Sequence, residues 1–434
     1  MTATPTARFG VNYTPSRDWF HTWLAPDWDS IRRDFDGIAS LGLDHVRIFP
    51  LWPVLQPNRT LIRSRALDDV RTMAELAAAA GLAPAVDVIQ GHLSSFDYLP
   101  AWLTTWHARN MFTDAEAVQA QARLVGAVHE AVSDVRGFIG LTIGNELNQF
   151  SDRPHPNAMR IGPAEAEHWL GTLLAAVPAA SPGLRAHAVY DAAWYLDGHP
   201  FLPAQASRLG DVTVIHSWIF NGTAQHYGGL SQESVRHAEY LGELSRAFAA
   251  DVHRPVWLQE IGAPLNCLTA RQAPDFCESA VRHAAATADF WGVTWWCSHD
   301  VHRDLGDFPA LEYSLGLLDS DGAVKPVGRR FADVAAELRA SSPAAAPARG
   351  TAVAIAVDDD DTPLSRAALA PGGAAFTAWH DLVRAGERPT FVTSRTAADP
   401  AALRARGVTS VVVPGTAGRS VYTAVSESDA AAGS

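Results

Sequence analysis

Lysine is nearly absent from this chain of 434 residues: Lys325 stands alone, and every other basic side chain is arginine or histidine. Schiff-base aldolases, pyridoxal-phosphate enzymes and phosphate-binding Gly-Lys-Ser/Thr loops each need a lysine in a defined place. The stretch Asp321-Gly-Ala-Val-Lys325-Pro reads as a surface turn, so those classes are set aside. Cysteine is scarce too. Cys267, Cys277 and Cys297 are too few and too irregular for a disulfide framework, and their spacing fits no zinc pattern. Basic charge is also short: 34 Lys+Arg against 47 Asp+Glu leave a net charge of -13, with no basic run to attract a phosphate backbone. Nucleic acid is not an expected partner. Long apolar runs are missing as well, at the start and later in the chain. Neither a secretory signal nor a membrane span is therefore expected, and the reading is of a cytoplasmic protein without a membrane partner.

What the sequence has is alternation. From Arg8 to about residue 340, short apolar runs alternate with segments of helical period, the pattern of repeated βα units. Eight runs read as strands, beginning at Phe9, His45, Ala83, Ile139, Leu184, Val212, Pro255 and Val293. Helices are expected over 29–41, 66–80, 114–135, 164–176, 231–250, 274–290 and 327–340, with a weak one between strands five and six where Pro200 and Pro203 crowd the start. This suits a (β/α)8 TIM barrel over residues 1–340. A doubly wound open sheet is the alternative, but no Gly-x-Gly-x-x-Gly follows the first strand.

Thirteen of the 14 tryptophans precede residue 300, and composition changes again at Ser341-Ser-Pro-Ala-Ala-Ala-Pro. That run reads as an Ala/Pro linker over 341–350. A small α/β C-terminal domain is expected over 351–424, then a disordered tail over 425–434.

In a (β/α)8 barrel the reacting groups project from the C-terminal ends of the strands. Two carboxylates stand there after apolar runs: Glu146 in Ile143-Gly-Asn-Glu and Glu260 in Trp257-Leu-Gln-Glu-Ile-Gly. Strands four and seven lie on opposite sides of an eight-stranded barrel. Two carboxylates facing each other are what glycosidic cleavage requires, one protonating the leaving oxygen and the other attacking or activating water. Buried glutamates paired with arginine are the structural alternative.

These motifs resemble glycoside hydrolase family 5 over residues 8 to about 340. The resemblance implies that Glu146 is the acid/base and Glu260 the nucleophile of a retaining double displacement, without metal or cofactor. It implies that Arg47 in His45-Val-Arg-Ile-Phe supports the nucleophile, that Asn145 meets the sugar 2-hydroxyl, and that His216 and Trp296 belong to the site. Two departures stand out. Trp218 occupies the place where the family usually has a tyrosine, and the family's strand-three histidine would fall on Ile89, leaving His92 as the nearest. Asp300 and His302 after strand eight resemble a metal cluster, but a substrate-contacting or structural loop is favoured, because strand one ends Asn12-Tyr13 without the His-x-His of barrel metal hydrolases. Phe9-Gly-Val-Asn-Tyr-Thr-Pro, Phe49-Pro-Leu-Trp-Pro and Gln90-Gly-His-Leu-Ser-Ser-Phe-Asp are similar to a bacterial family 5 group of β-mannosidases. That likeness implies exo-cleavage of a short β-mannoside, mannose-β-1,4-N-acetylglucosamine. An endo-acting β-mannanase or β-glucanase and a non-catalytic sugar-binding barrel remain as alternatives, and a homo-oligomer is compatible with all of them.

Overall fold

A computed structural model describes residues 7–106, 108–153, 155–341, 349–415 and 418–423. Eight parallel strands form the central sheet: β1 (Arg8–Asn12), β2 (His45–Ile48), β3 (Ala83–Ile89), β4 (Gly140–Gly144), β5 (Leu184–Ala186), β6 (Thr213–Ser217), β7 (Val256–Ile261) and β8 (Phe290–Trp295). Their order is β5-β4-β3-β2-β1-β8-β7-β6, with β1 paired to both β2 and β8. Helices α1 (Trp28–Ser40), α2 (Ser64–Ala79), α3 (Ala115–Val132), α4 (Pro163–Leu174), α5 (Pro203–Arg208), α6 (His237–Phe248), α7 (Ala273–Ala284) and α8 (Pro326–Ala340) surround them. The chain is a nearly closed (β/α)8 barrel. Its seam lies between β5 and β6, where the Asp211 amide donates to the Arg185 carbonyl (2.8 Å) and their side chains pair at 2.7 Å. An apolar plug of Ala85, Ile139, Ala186, Ala188, Val212, Val214 and Trp257 fills one level of the barrel.

Sequence chemistry explains the element ends. Asp27 and Asp114 cap α1 and α3 by accepting from the amides of Ser30 and Ala117, while Pro163, Pro203 and Pro326 open helices where a missing N–H costs nothing. Two expected helices differ. The 231–250 segment breaks at Arg236 into a short turn and α6, and the 274–290 segment stops at Ala284. Asp289 adopts φ 55, which turns the chain so that Phe290 opens β8 rather than closing a helix.

Polar side chains also meet inside the barrel. Gln259 on β7 reaches Thr142 on β4 (2.9 Å), and Thr294 on β8 accepts from Trp257 on β7 (2.8 Å) and meets His45 on β2 (2.7 Å). Gly10 lets that happen, since a Cβ there would stand 2.3 Å from the His45 imidazole.

Beyond the barrel, β9 (Thr351–Ile355), β10 (Thr390–Thr393) and β11 (Ser410–Val412) form a parallel sheet in the order β10-β9-β11, with α9 (Ala374–Arg384) beside it. Phe376, Trp379 and Phe391 belong to the same apolar core as the barrel and set tilted or edge-on rings around Tyr240 of α6. Buried Arg349 pairs with Glu239 (3.1 Å) and Glu243 (2.8 Å), and the Arg366 guanidinium caps the carbonyls of Ala193, His199 and Phe201. Arg349 falls within the expected linker; residues 342–348 of that linker and the tail over 425–434 lie outside the described residues.

Candidate active site

The strand ends converge on Arg47, which is fully buried at the close of β2. A guanidinium has five N–H donors, and each finds an acceptor here. Nε and Nη2 grip Asp87 of β3 fork to fork (2.8 and 2.5 Å), Nη1 reaches Asn12 (3.1 Å) and Glu260 (2.9 Å), and Nη2 also reaches Asn145 (2.7 Å). One cation thereby orients groups from β1, β3, β7 and the turn after β4. Because the Asn145 carbonyl oxygen is taken, its amide nitrogen is the end left to donate into the pocket.

Glu146 follows β4 at φ 46, a left-handed conformation that a non-glycine residue adopts only when its surroundings hold it. The Gln149 amide, three residues on, donates to its Oε2 (2.7 Å). His216 at the end of β6 places Nδ1 2.6 Å from Glu146 Oε1 and 3.4 Å from Glu260 Oε2. One ligating atom from each of Glu146, His216 and Glu260 lies within 4.8 Å of the others. The shortest of these separations is a hydrogen bond, tighter than the roughly 3.4 Å between two ligands of a tetrahedral zinc with bonds of about 2.1 Å.

Electrostatics follow from burial. Desolvation pushes Glu260 above the usual carboxylate range and the charge of Glu146 adds to this, while His216 and Arg47 pull it back. His216 is depressed by burial, yet Glu260 and Glu146 outweigh that and raise it, which favours an imidazolium between the two carboxylates.

Trp218 lines the pocket and donates its indole N–H to Glu260 Oε2 (3.3 Å). An N–H donor to Glu260 is thus supplied by the very residue that departs from the family pattern. Trp296 also lines the pocket, edge-on to Phe49, whereas Trp295 turns outward onto Phe331. His92 sits on a short hairpin (His92–Leu93 with Phe96–Asp97) and shares Asp97 with His155, at 2.9 and 3.0 Å, on the pocket rim. The cavity between them measures about 250 Å³ and has Asn145, Glu146, Glu260, Tyr190, Asn221 and Trp296 among its walls.

Asp300 and His302 are not brought there. Asp300 pairs with Lys325 (2.6 Å) and accepts from the Gly316 amide, fastening the loop after β8, and His302 lines a separate polar cavity with Asp34 and Arg33. The same pairing gives the single lysine a structural task.

Sequence reading did not single out Asp87, Gln149, Asn12 or the pair Asp191 and Asn221. Asp87 carried a usable signal: one carboxylate within Ala83-Pro-Ala-Val-Asp-Val-Ile, an otherwise apolar buried strand, demands a cation.

No protein-family model matches the chain, and no curated protein matches it. Solved structures do. A GH5_18 from Bifidobacterium longum subsp. infantis is 53% identical, with a TM-score of 0.92, over 95% of this chain and 98% of that one. A glutamate-to-alanine variant of GH5_18 from Bifidobacterium longum subsp. longum, in complex with Manβ1-4GlcNAc, is 50% identical, with a TM-score of 0.94, over 97% and 99%. A corresponding Streptomyces cattleya variant with the same disaccharide is 51% identical, with a TM-score of 0.92, over 94% and 99%.

Proposed function

Because this chain belongs to the GH5_18 group of glycoside hydrolase family 5, we propose that it is a retaining exo-β-mannosidase releasing mannose from mannose-β-1,4-N-acetylglucosamine. The observation that carries the mechanism is the close approach of Glu146 and Glu260 across the barrel mouth, with a carboxylate oxygen of each within 4.8 Å of the other. Retaining glycosidases hold their carboxyl groups about 5–5.5 Å apart, whereas inverting ones leave about 6.5–9.5 Å for a water.

In this reading Glu260 attacks the anomeric carbon while Glu146 delivers a proton to the departing O4 of N-acetylglucosamine. The ester bond that forms joins Glu260 to the anomeric carbon, and N-acetylglucosamine leaves with the proton from Glu146. Glu146 then takes a proton from water, the hydroxide oxygen bonds the anomeric carbon, and Glu260 leaves as carboxylate with the β-anomer restored. Arg47, His216 and Trp218 disperse the charge that Glu260 carries before and after. Asn145, clamped by Arg47, donates to the sugar 2-hydroxyl as the anomeric centre becomes cationic.

The substrate assignment rests on the GH5_18 relatives that hold Manβ1-4GlcNAc. Incubation with the disaccharide and, separately, with mannan tests it. Release of mannose with β-anomer formed first is expected, and internal cleavage of mannan with the disaccharide left intact would overturn the exo reading.

A further inference from the structure

The last described residues, 418–423, leave the C-terminal sheet and return to the barrel rim. The Val421 amide donates to Pro371 O (2.7 Å) and the Thr423 amide to Asn221 O (3.3 Å). Gly222 makes room for this strap: its φ is 104, and a Cβ there would stand 2.2 Å from the Val421 carbonyl oxygen. Tyr422 sets its ring edge-on to Tyr195 at 5.3 Å, and its buried side chain lies near Tyr190.

Both partners of the strap lead into the catalytic pocket. Tyr190 and Asn221 line it. Asn148, two residues past Glu146, holds the Tyr190 backbone through its side-chain amide (2.8 and 3.3 Å). Asp191, buried behind this wall, accepts from Asn221 Nδ2 (3.0 Å) and feels the charges of Glu146, Glu260 and His216. Among the described residues, Asp191 Oδ1 and Asn221 Oδ1 have no hydrogen-bond partner.

We infer that the strap Gly418–Thr423 is a positioning element of the catalytic pocket, in which Tyr422 and the Thr423 amide fix the Tyr190–Asn221 wall and thereby set how tightly the sugar is held. The strap touches no reacting atom. The inference builds on the glycosidase reading above and assigns to the C-terminal unit a part in substrate binding.

Steady-state kinetics on the disaccharide with full-length Tyr422→Ala, Tyr422→Phe and Thr423→Pro test it, with Val413→Ala, an exposed change on the same unit, as control. Tyr422→Ala should raise KM about tenfold with kcat within about threefold, Thr423→Pro should raise KM about threefold, and Tyr422→Phe, which keeps the ring on Tyr195, should stay within about twofold of wild type. A merely structural role lowers the melting temperature and the active fraction, hence apparent kcat, and leaves KM alone. Unchanged KM in both Tyr422→Ala and Thr423→Pro would overturn the inference. Should Tyr422→Ala fail to fold, Thr423→Pro decides, since it removes one N–H at the end of the strap. If the wild type does not cleave the disaccharide, the functional reading fails instead, and calorimetric binding of mannose to the same variants judges the strap.

Discussion

The indole N–H of Trp218 points at Glu260 Oε2 from 3.3 Å, so the carboxylate meets Arg47 on one oxygen and Trp218 on the other. A hydrogen bond to the charged form favours ionisation, and this one works against the burial that raises Glu260. Trp218→Phe keeps an aromatic wall and removes the donor. The acidic limb of the kcat/KM profile should move to higher pH, with activity at neutral pH down roughly tenfold. An unmoved limb would mean that the contact does not tune Glu260.

Azide separates the two glutamates. With Glu260→Ala, turnover should fall by roughly 10⁴-fold or more, and azide entering the vacated face should give the α-mannosyl azide from an activated aryl β-mannoside. With Glu146→Ala the mannosyl ester still forms, so azide in the place of water gives the β-mannosyl azide. Product anomers identified by NMR check both, and the opposite pairing would reverse the assigned roles.

Asp87 balances the charge of Arg47 beside Glu260. Its fork-to-fork pair with Arg47 has no exposed side-chain surface, and removing one partner of such a buried pair costs about 3–5 kcal/mol, even though Glu260 still faces the guanidinium. Asp87→Asn should lower stability by that order in denaturant titration. It should also shift the acidic limb to lower pH, because Arg47 then gives more of its charge to Glu260. Trp218→Phe and Asp87→Asn therefore move the same limb in opposite directions, which a general loss of folding cannot imitate.

The sequence made the barrel legible because its strands are continuous apolar runs that end in polar residues; position at the strand ends drew attention to Glu146 and Glu260, and the family resemblance added Arg47, Asn145 and His216. Asp87 was missed because it lies inside a strand, where alternation says buried but cannot say what it pairs with. Asp191 and Asn221 were missed for another reason. They sit on irregular segments after β5 and β6, and only the folded chain brings them beside each other and beneath residues 418–423. His302 was placed by proximity to strand eight, but the loop carries it to a different cavity.

Asp191 gives a stability test with a definite sign. Burial pushes its carboxyl up from 3.8 to about 7, with Glu146 and Glu260 adding to the shift and Asn221 and His216 opposing it. The folded state therefore binds this proton more tightly than the unfolded chain does. The resulting stability is present in full below the unfolded value and is lost as pH rises through the folded value. Between pH 5 and pH 8 the loss amounts to about 3 kcal/mol. Asp191→Asn cannot ionise and still offers an oxygen to Asn221 Nδ2, so the variant should gain on the wild type by that order across the same interval. Urea titrations of both proteins at the two pH values measure it. A difference that does not change with pH would show that Asp191 is ionised throughout, with a compensating cation or water at its Oδ1.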